Sequence, residues 1–191
     1  MAQLGGLLIG LTGPAGCGKD TVAEYYRDAY GAEILSFATP IKEALNAMFG
    51  FTDAQWQDRV WKEGVRGRFG VSPRQLAQTL GTDWGRDMIC RNIWINILLD
   101  RWAAAGRPFS VIPDVRFDNE AAAIVDTGGR VLSIDRPGHD RIEESHHASE
   151  AGVDPRMIAC TIPNLKGLFD LKVNCSNALL VQIGEMGYAY S

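Results

Sequence analysis

The stretch Gly13-Pro14-Ala15-Gly16-Cys17-Gly18-Lys19-Asp20-Thr21 restricts what this chain can fold into more than any other. Its spacing is G-x-x-x-x-G-K, and it sits between two elements of opposite kind. Leu7 to Thr12 is a short apolar run that reads as a buried strand, and Thr21 to Tyr30 reads as a helix. Glycines at these positions let the backbone turn so that several N–H groups face one point. The helix that follows adds the positive end of its dipole. Gly13, Ala15, Gly16, Cys17, Gly18, Lys19, Asp20 and Thr21 are therefore the candidate phosphate-binding residues, with Lys19 as a point charge for β- and γ-phosphates. The competing reading is a glycine-rich turn that binds nothing.

The loop departs from the usual pattern in one place. Ser or Thr normally follows the lysine and holds Mg²⁺; here Asp20 stands there and Thr21 comes next. Either Asp20 reaches the ion through water or Thr21 shifts into the role. Cys17 also has two readings, a thiol made reactive by the helix terminus or a small residue that fits the loop.

Downstream, strands and helices alternate. Strands are expected over Glu33 to Phe37, Phe109 to Pro113, Arg130 to Asp135 and Leu171 to Asn174. Helices are expected over Pro40 to Phe49, Asp53 to Lys62, from Ser72-Pro73, from Thr82 or Asp83 to near Gly106, over Asn119 to Asp126, and over Ala178 to Met186. Gly138 to Asp154 is polar, contains the three histidines and reads as a loop or insert. The alternation implies an α/β class with a parallel sheet covered by helices on both faces.

A second acidic element follows from that architecture. Val111-Ile112-Pro113-Asp114-Val115-Arg116 puts a carboxylate at the end of an apolar strand, where parallel sheets collect their ligands. Asp114 is a candidate to orient Mg²⁺ through water or to accept a proton; the alternative is a strand-end cap. Arg116 either binds phosphate or pairs with Asp118 or Glu120, and Asn119 and Glu120 read at least as well as helix caps.

Charge is distributed unevenly. The whole chain nets −4, whereas Arg59 to Arg91 nets +4 and the remainder −8. Basic charge is gathered where an anionic small molecule needs it, and Arg suits phosphate by its bidentate fork. Arg68, Arg74 and Arg86 are candidates, with Arg74 and Arg86 close to expected helix starts. Phe69 and Trp84 are candidates to stack on a base, with a place in the core as the alternative for Trp84, and Gln75 and Gln78 are candidates to bond its edge. Arg136 and Arg141, around the polar insert, are candidates to close over phosphates. The acidic total argues against a nucleic-acid binder. The scattered Cys17, Cys90, Cys160 and Cys175 indicate reduced thiols in a cytoplasmic protein, and zinc spacing is absent. The start of the chain reads as a strand and not a leader, and no run approaches the roughly 18 apolar residues of a membrane span. N-K-x-D, the guanine-specificity motif of nucleotide switches, does not occur.

With these pieces assembled, the chain resembles the deoxynucleoside monophosphate kinases of bacteriophages. The likeness rests on Gly18-Lys19-Asp20-Thr21 with Val22-Ala23, on Phe37-Ala38 with Pro40-Ile41-Lys42, and on Ser72-Pro73-Arg74-Gln75-Leu76 with Leu80-Gly81-Thr82 and Gly85-Arg86-Asp87. It extends to Asp114-Val115-Arg116-Phe117 with Asn119-Glu120, and to His147-Ala148-Ser149-Glu150. Asp after Lys in the loop is itself a feature of that group. The resemblance implies a three-layer P-loop kinase fold in a single domain. Its core would cover about 1–52 and 106–191, with a helical acceptor-binding insert at about 53–105 and a lid at about 137–155. The implied reaction is ATP plus a deoxynucleoside monophosphate giving ADP plus the diphosphate, with Mg²⁺, in a chain able to form a homodimer. Ser72 to Gly85 and Arg86 would bind the monophosphate. Phe37 and Ala38 would line its pocket, Arg136 would come from the lid side, and a turn at Asn174 to Ser176 would touch adenine. Kinases of dephospho-coenzyme A or phosphomevalonate share a similar loop and stand as the alternative. A nucleotide-binding module without an acceptor stands further off.

Overall fold

The computed structural model describes residues 6–65, 70–137, 152–165 and 167–185. Among them, five strands form one parallel sheet in the order β2-β3-β1-β4-β5. These are β1 (Leu8–Thr12), β2 (Glu33–Ile34), β3 (Ser110–Ile112), β4 (Arg130–Asp135) and β5 (Ile158–Pro163). The chain separates into two compact units, 1–36 with 102–191, and 37–101. The second begins at Phe37, earlier than the insert expected from about residue 53.

The first unit has three layers. β1 is central, pairs with β3 on one side and β4 on the other, and is buried along its whole length. That explains its unbroken apolar sequence. Helices α1 (Lys19–Tyr30) and α8 (Leu168–Glu185) cover one face. Leu7, Ile9 and Leu11 pack there with Val22, Tyr26, Leu171, Cys175 and Leu179. Helix α7 (Asp118–Asp126) covers the other face, and Gly10 lets it come close. A Cβ at Gly10 would lie 2.7 Å from Ile124 Cδ1 and 2.9 Å from Val115 Cγ2. Since the chain runs from β1 to β2 and β3 and then crosses to β4, the connections diverge on either side of β1. Crevices for ligands form at the carboxyl ends of strands where that happens.

The expected last strand, Leu171 to Asn174, is instead inside α8, and the last helix starts near residue 168 and not 178. Leu171, Cys175, Leu179 and Ile183 recur every four residues and are all buried, which is the period of a helix and not of a strand. The fifth strand is β5, where the sequence reading placed none. It is an edge strand: intermediate and exposed positions alternate over its first four residues, Ile162 is buried, and the strand ends on Pro163, so only part of it carries the mark of a buried strand.

The second unit is helical. It contains α2 (Thr39–Phe49), α3 (Asp53–Gln57), α4 (Arg59–Glu63), α5 (Pro73–Gln78), a π-helix at Thr79–Ile89, and most of α6 (Ile93–Ala104). The single helix expected over Asp53 to Lys62 breaks at Asp58, whose backbone is extended and whose Oδ1 accepts from Trp61 N–H at 3.1 Å. Ser72 caps α5 through a reciprocal box. Ser72 Oγ accepts from Gln75 N–H at 3.2 Å, and Gln75 Oε1 accepts from Ser72 N–H at 2.8 Å.

Thr82 and Asp83, expected as caps of the next helix, lie within the π-helix. A small-residue face of this helix packs against one indole. Trp94 Nε1 donates to Gly81 O at 2.7 Å. Gly85 accommodates the same ring, since a Cβ there would lie 2.6 Å from Trp94 Cζ2. Cys90 N–H then reaches Gly85 O at 2.9 Å, a bond across five residues.

Candidate active site

The carboxyl ends of all five strands carry polar groups of the first unit. After β1 comes the glycine loop, after β2 Ser36, after β3 Asp114, after β4 Arg136, and after β5 Asn164. The loop turns tightly. Gly13 has φ 135°, and a Cβ there would come 2.4 Å from the Ile134 carbonyl oxygen. Cys17 N–H donates to Pro14 O at 3.3 Å, and Gly18, at φ 113°, hands the chain into α1.

The loop's carbonyls are held. Lys19 Nζ donates to Gly13 O and to Pro14 O, both at 2.7 Å. Arg136 Nη1 donates to Gly16 O at 3.2 Å, and Asn164 Nδ2 donates to Cys17 O at 2.9 Å. Lysine thus rests across the loop whose anion it would serve. Cys17 is fully buried, which favours its reading as a fitted small residue over that of an accessible reactive thiol. Asp20 is exposed on the first turn of α1, and Thr21 beside it is half-buried.

The second acidic element is also organised. Ser36 Oγ donates to Asp114 Oδ2 at 2.7 Å. Glu120 is 2% exposed, and its Oε2 accepts from Arg116 N–H at 2.8 Å and Phe117 N–H at 3.2 Å. Glu120 therefore caps α7 and fixes the segment that follows Asp114, which is the capping reading of that residue. The Arg116 side chain is exposed.

In the second unit, Phe37 and Ala38 precede α2, with Ala38 as its N-cap. Arg74 lies at the second position of α5 and donates to Glu63 Oε1 at 3.2 Å. Gln78 ends α5 and is exposed, while Gln75 has its amide oxygen in the capping box. Trp84 and Arg86 lie on the π-helix. Trp84 is 43% exposed, so it is not core, and its ring is tilted against Trp94 at 6.4 Å.

A model of the family described as deoxynucleotide monophosphate kinase matches residues 58–174. The chain belongs to that family. A protein of Acanthamoeba polyphaga mimivirus bearing the same description is 39% identical over 145 residues, which is 69% of this chain and 75% of that one. The deoxynucleoside-5'-monophosphate kinase of Escherichia phage T5 is 27% identical over 240 aligned positions, covering 90% of this chain and 95% of its own. At 15% identity, shikimate kinase from Aquifex aeolicus shares the fold, with a TM-score of 0.51 over 94% of this chain and 98% of that one.

Within this deoxynucleotide monophosphate kinase family chain, the family match starts after the glycine loop, so the loop's assignment stands on its own spacing and geometry. Asn174 is not in a turn. It lies within α8, and its Nδ2 donates to Pro163 O at 3.0 Å, because the segment expected as a strand is helical. Arg68, Phe69, Arg141 and His147 fall outside the described residues, as do residues 138–151 of the expected lid. Ser36 and Asn164 are additions to the site. A polar residue at the end of a strand is the available signal for both, but the expected strand over Glu33 to Phe37 enclosed Ser36 and the strand before Asn164 went unread.

Proposed function

We propose that this chain transfers the γ-phosphoryl group of ATP to a deoxynucleoside monophosphate, giving ADP and the deoxynucleoside diphosphate. The observation that carries this reading is the braced glycine loop with Lys19 lying across it, in a chain of this family. The loop N–H groups and the start of α1 would hold the triphosphate. Lys19 would leave the carbonyls of Gly13 and Pro14 for the β- and γ-phosphates. It exchanges two neutral acceptors for charged ones, which hold an ammonium group more strongly. Arg136, which bonds the loop at Gly16 O, would add positive charge as the γ-phosphoryl group moves.

The acceptor's own phosphate is the nucleophile. One of its oxygens bonds to the γ-phosphorus while the bond to the β–γ bridging oxygen breaks, and ADP leaves with that oxygen. A phosphate monoester has its second pKa near about 6, so this oxygen is largely ionised at neutral pH and needs no base. Asp114 is therefore better suited to holding a cation's water than to taking a proton. Mg²⁺ commonly uses one or two carboxylates, with substrate phosphates and water completing its shell. The donor set fits that habit: Asp20, Thr21 and Asp114 supply hard oxygens, and no cluster of three or more metal-ligating side chains is found among the described residues. When bound, the ion would neutralise charge on the β- and γ-phosphates. Arg74, Arg86 and Trp84, with Phe37, Ala38, Gln75, Gln78 and Arg68, are assigned to the monophosphate.

A coupled ADP-release assay over deoxynucleoside monophosphates, ribonucleoside monophosphates, dephospho-coenzyme A and phosphomevalonate tests this. Turnover with one or more deoxynucleoside monophosphates is expected. Activity confined to a non-nucleotide acceptor, or ATP hydrolysis indifferent to every acceptor, would sink it.

A further inference from the structure

The Asn164 side chain bonds the peptide that closes the phosphate loop, and the chain around it is arranged to hold it there. The Cys17–Gly18 peptide presents its C=O and its N–H in opposite directions, as a planar trans peptide must. Asn164 Nδ2 takes the C=O at 2.9 Å. The Gly18 N–H is thereby turned away from Asn164, and it is the last amide before Lys19 and α1. Gly18 and Asn164 also exclude any side chain between them, since a Cβ at Gly18 would stand 3.0 Å from Asn164 Nδ2. The donor is carried on a fixed strand end. Asn164 N–H bonds to Asp135 O at 2.7 Å, and the preceding carbonyl of Pro163 accepts from Asn174 Nδ2 at 3.0 Å. The loop is thus tied to β4, β5 and α8 through one amide group.

We infer that Asn164 is a positioning residue for the donor nucleotide: by fixing the Cys17 carbonyl it aims the Gly18 amide at the triphosphate. The role rests on the reading of the loop as an ATP site. It differs from an adenine contact, because it acts on phosphates alone. It also differs from a scaffold role, because it needs a hydrogen-bond donor at that one atom.

Three probes separate these roles in the full-length protein: calorimetric titration with MgATP, the same titration with magnesium tripolyphosphate, and steady-state kinetics. Asn164→Ala is expected to weaken ATP and tripolyphosphate equally, by about tenfold, the value of one lost hydrogen bond in a pre-formed site. The KM for the acceptor nucleotide stays unchanged. Asn164→Asp supplies the decisive readout. Ionised, its carboxylate opposes the Cys17 carbonyl and cannot donate; protonated, its O–H can. Repulsion from that carbonyl raises its pKa. Its ATP affinity, taken as a ratio to wild type at each pH, is expected to fall at pH 8 and recover toward pH 5. Wild-type tripolyphosphate binding at Asn164→Ala would make the residue an adenine contact and overturn the inference. A deficit in Asn164→Asp that is the same at every pH would make it a scaffold residue and overturn it too. Failure of the wild-type protein to bind MgATP would instead overturn the loop's assignment, so the two failures are told apart.

Discussion

The glycine loop and the α5–π-helix segment are both assigned to phosphate-bearing ligands, yet they are built on different principles. In the loop, backbone amides would do the binding, and side chains brace the backbone from several elements: Lys19 on Gly13 and Pro14, Arg136 on Gly16, Asn164 on Cys17. In the other segment, on the proposed reading, the side chains themselves would be the binding groups. They stand on an irregular helix, and Arg74 rests in an exposed ion pair with Glu63. A triphosphate presents the same chemistry whatever the acceptor, so a rigid cradle of amides serves it. An acceptor must be told from others, and side chains that can be exchanged or re-aimed serve that better.

The contrast is tested most severely at Lys19. Lys19→Ala should lower kcat by about a hundredfold to a thousandfold, the usual loss when one charge-stabilising donor is removed. The circular dichroism of the folded chain should be unchanged. The acceptor KM should move little. A large rise in acceptor KM would break the division between a backbone-built donor site and a side-chain-built acceptor site.

Arg86→Ala is expected next in size. It should raise the acceptor KM by about tenfold or more, in line with the loss of a charged hydrogen bond, with the KM for ATP unchanged. Arg74→Ala should act in the same direction and less strongly, because Arg74 must first leave Glu63. If either substitution raises the KM for ATP instead, the arginine serves the donor.

Ser36→Ala probes the support of Asp114. Removing the hydroxyl that donates to Asp114 Oδ2 at 2.7 Å should reduce kcat/KM by about three- to tenfold, and Ser36→Thr should restore most of it. Raising Mg²⁺ should recover part of the loss if Asp114 acts through the ion's water. A loss insensitive to Mg²⁺ would separate Asp114 from the metal.

How much of this was legible in the sequence depended on the distance over which each piece acts. Gly13 through Lys19 announce themselves because a tight turn, a phosphate grip and a helix start demand specific residues at fixed local spacing. Ser72 and Pro73 announce α5 for the same reason. Asp114 was reachable because an apolar strand led to it. Asn164 was not, since its partner is 147 positions away and the edge strand that carries it is half-exposed over its first four residues and ends on a proline. Leu171 to Asn174 looked like a strand because a short apolar run is ambiguous by itself; only its continuation through Cys175, Leu179 and Ile183 fixes the helical period. The π-helix was beyond local propensity, and its Gly81 and Gly85 pack against the Trp94 indole, a partner outside the element.

Glu63 offers the finest distinction between the two sites. Its Oε1 accepts from Arg59 Nε and Arg74 Nη1, both at 3.2 Å, and Arg74 is 56% exposed. Exposed pairs of this kind contribute about 0–1 kcal/mol, so Glu63→Ala should leave the melting temperature within a degree or two of wild type. If the pair is only a resting place, freeing Arg74 should lower the acceptor KM slightly, by no more than about twofold, since binding no longer has to break it. If the carboxylate aims the guanidinium, the acceptor KM should rise several-fold, and Glu63→Gln should rise less than Glu63→Ala because the amide oxygen still accepts. The first outcome keeps bracing as a property of the donor loop. The second would show that the acceptor arginines are positioned as deliberately as the loop's carbonyls, and the contrast between the two regions would narrow to which atoms touch the ligand.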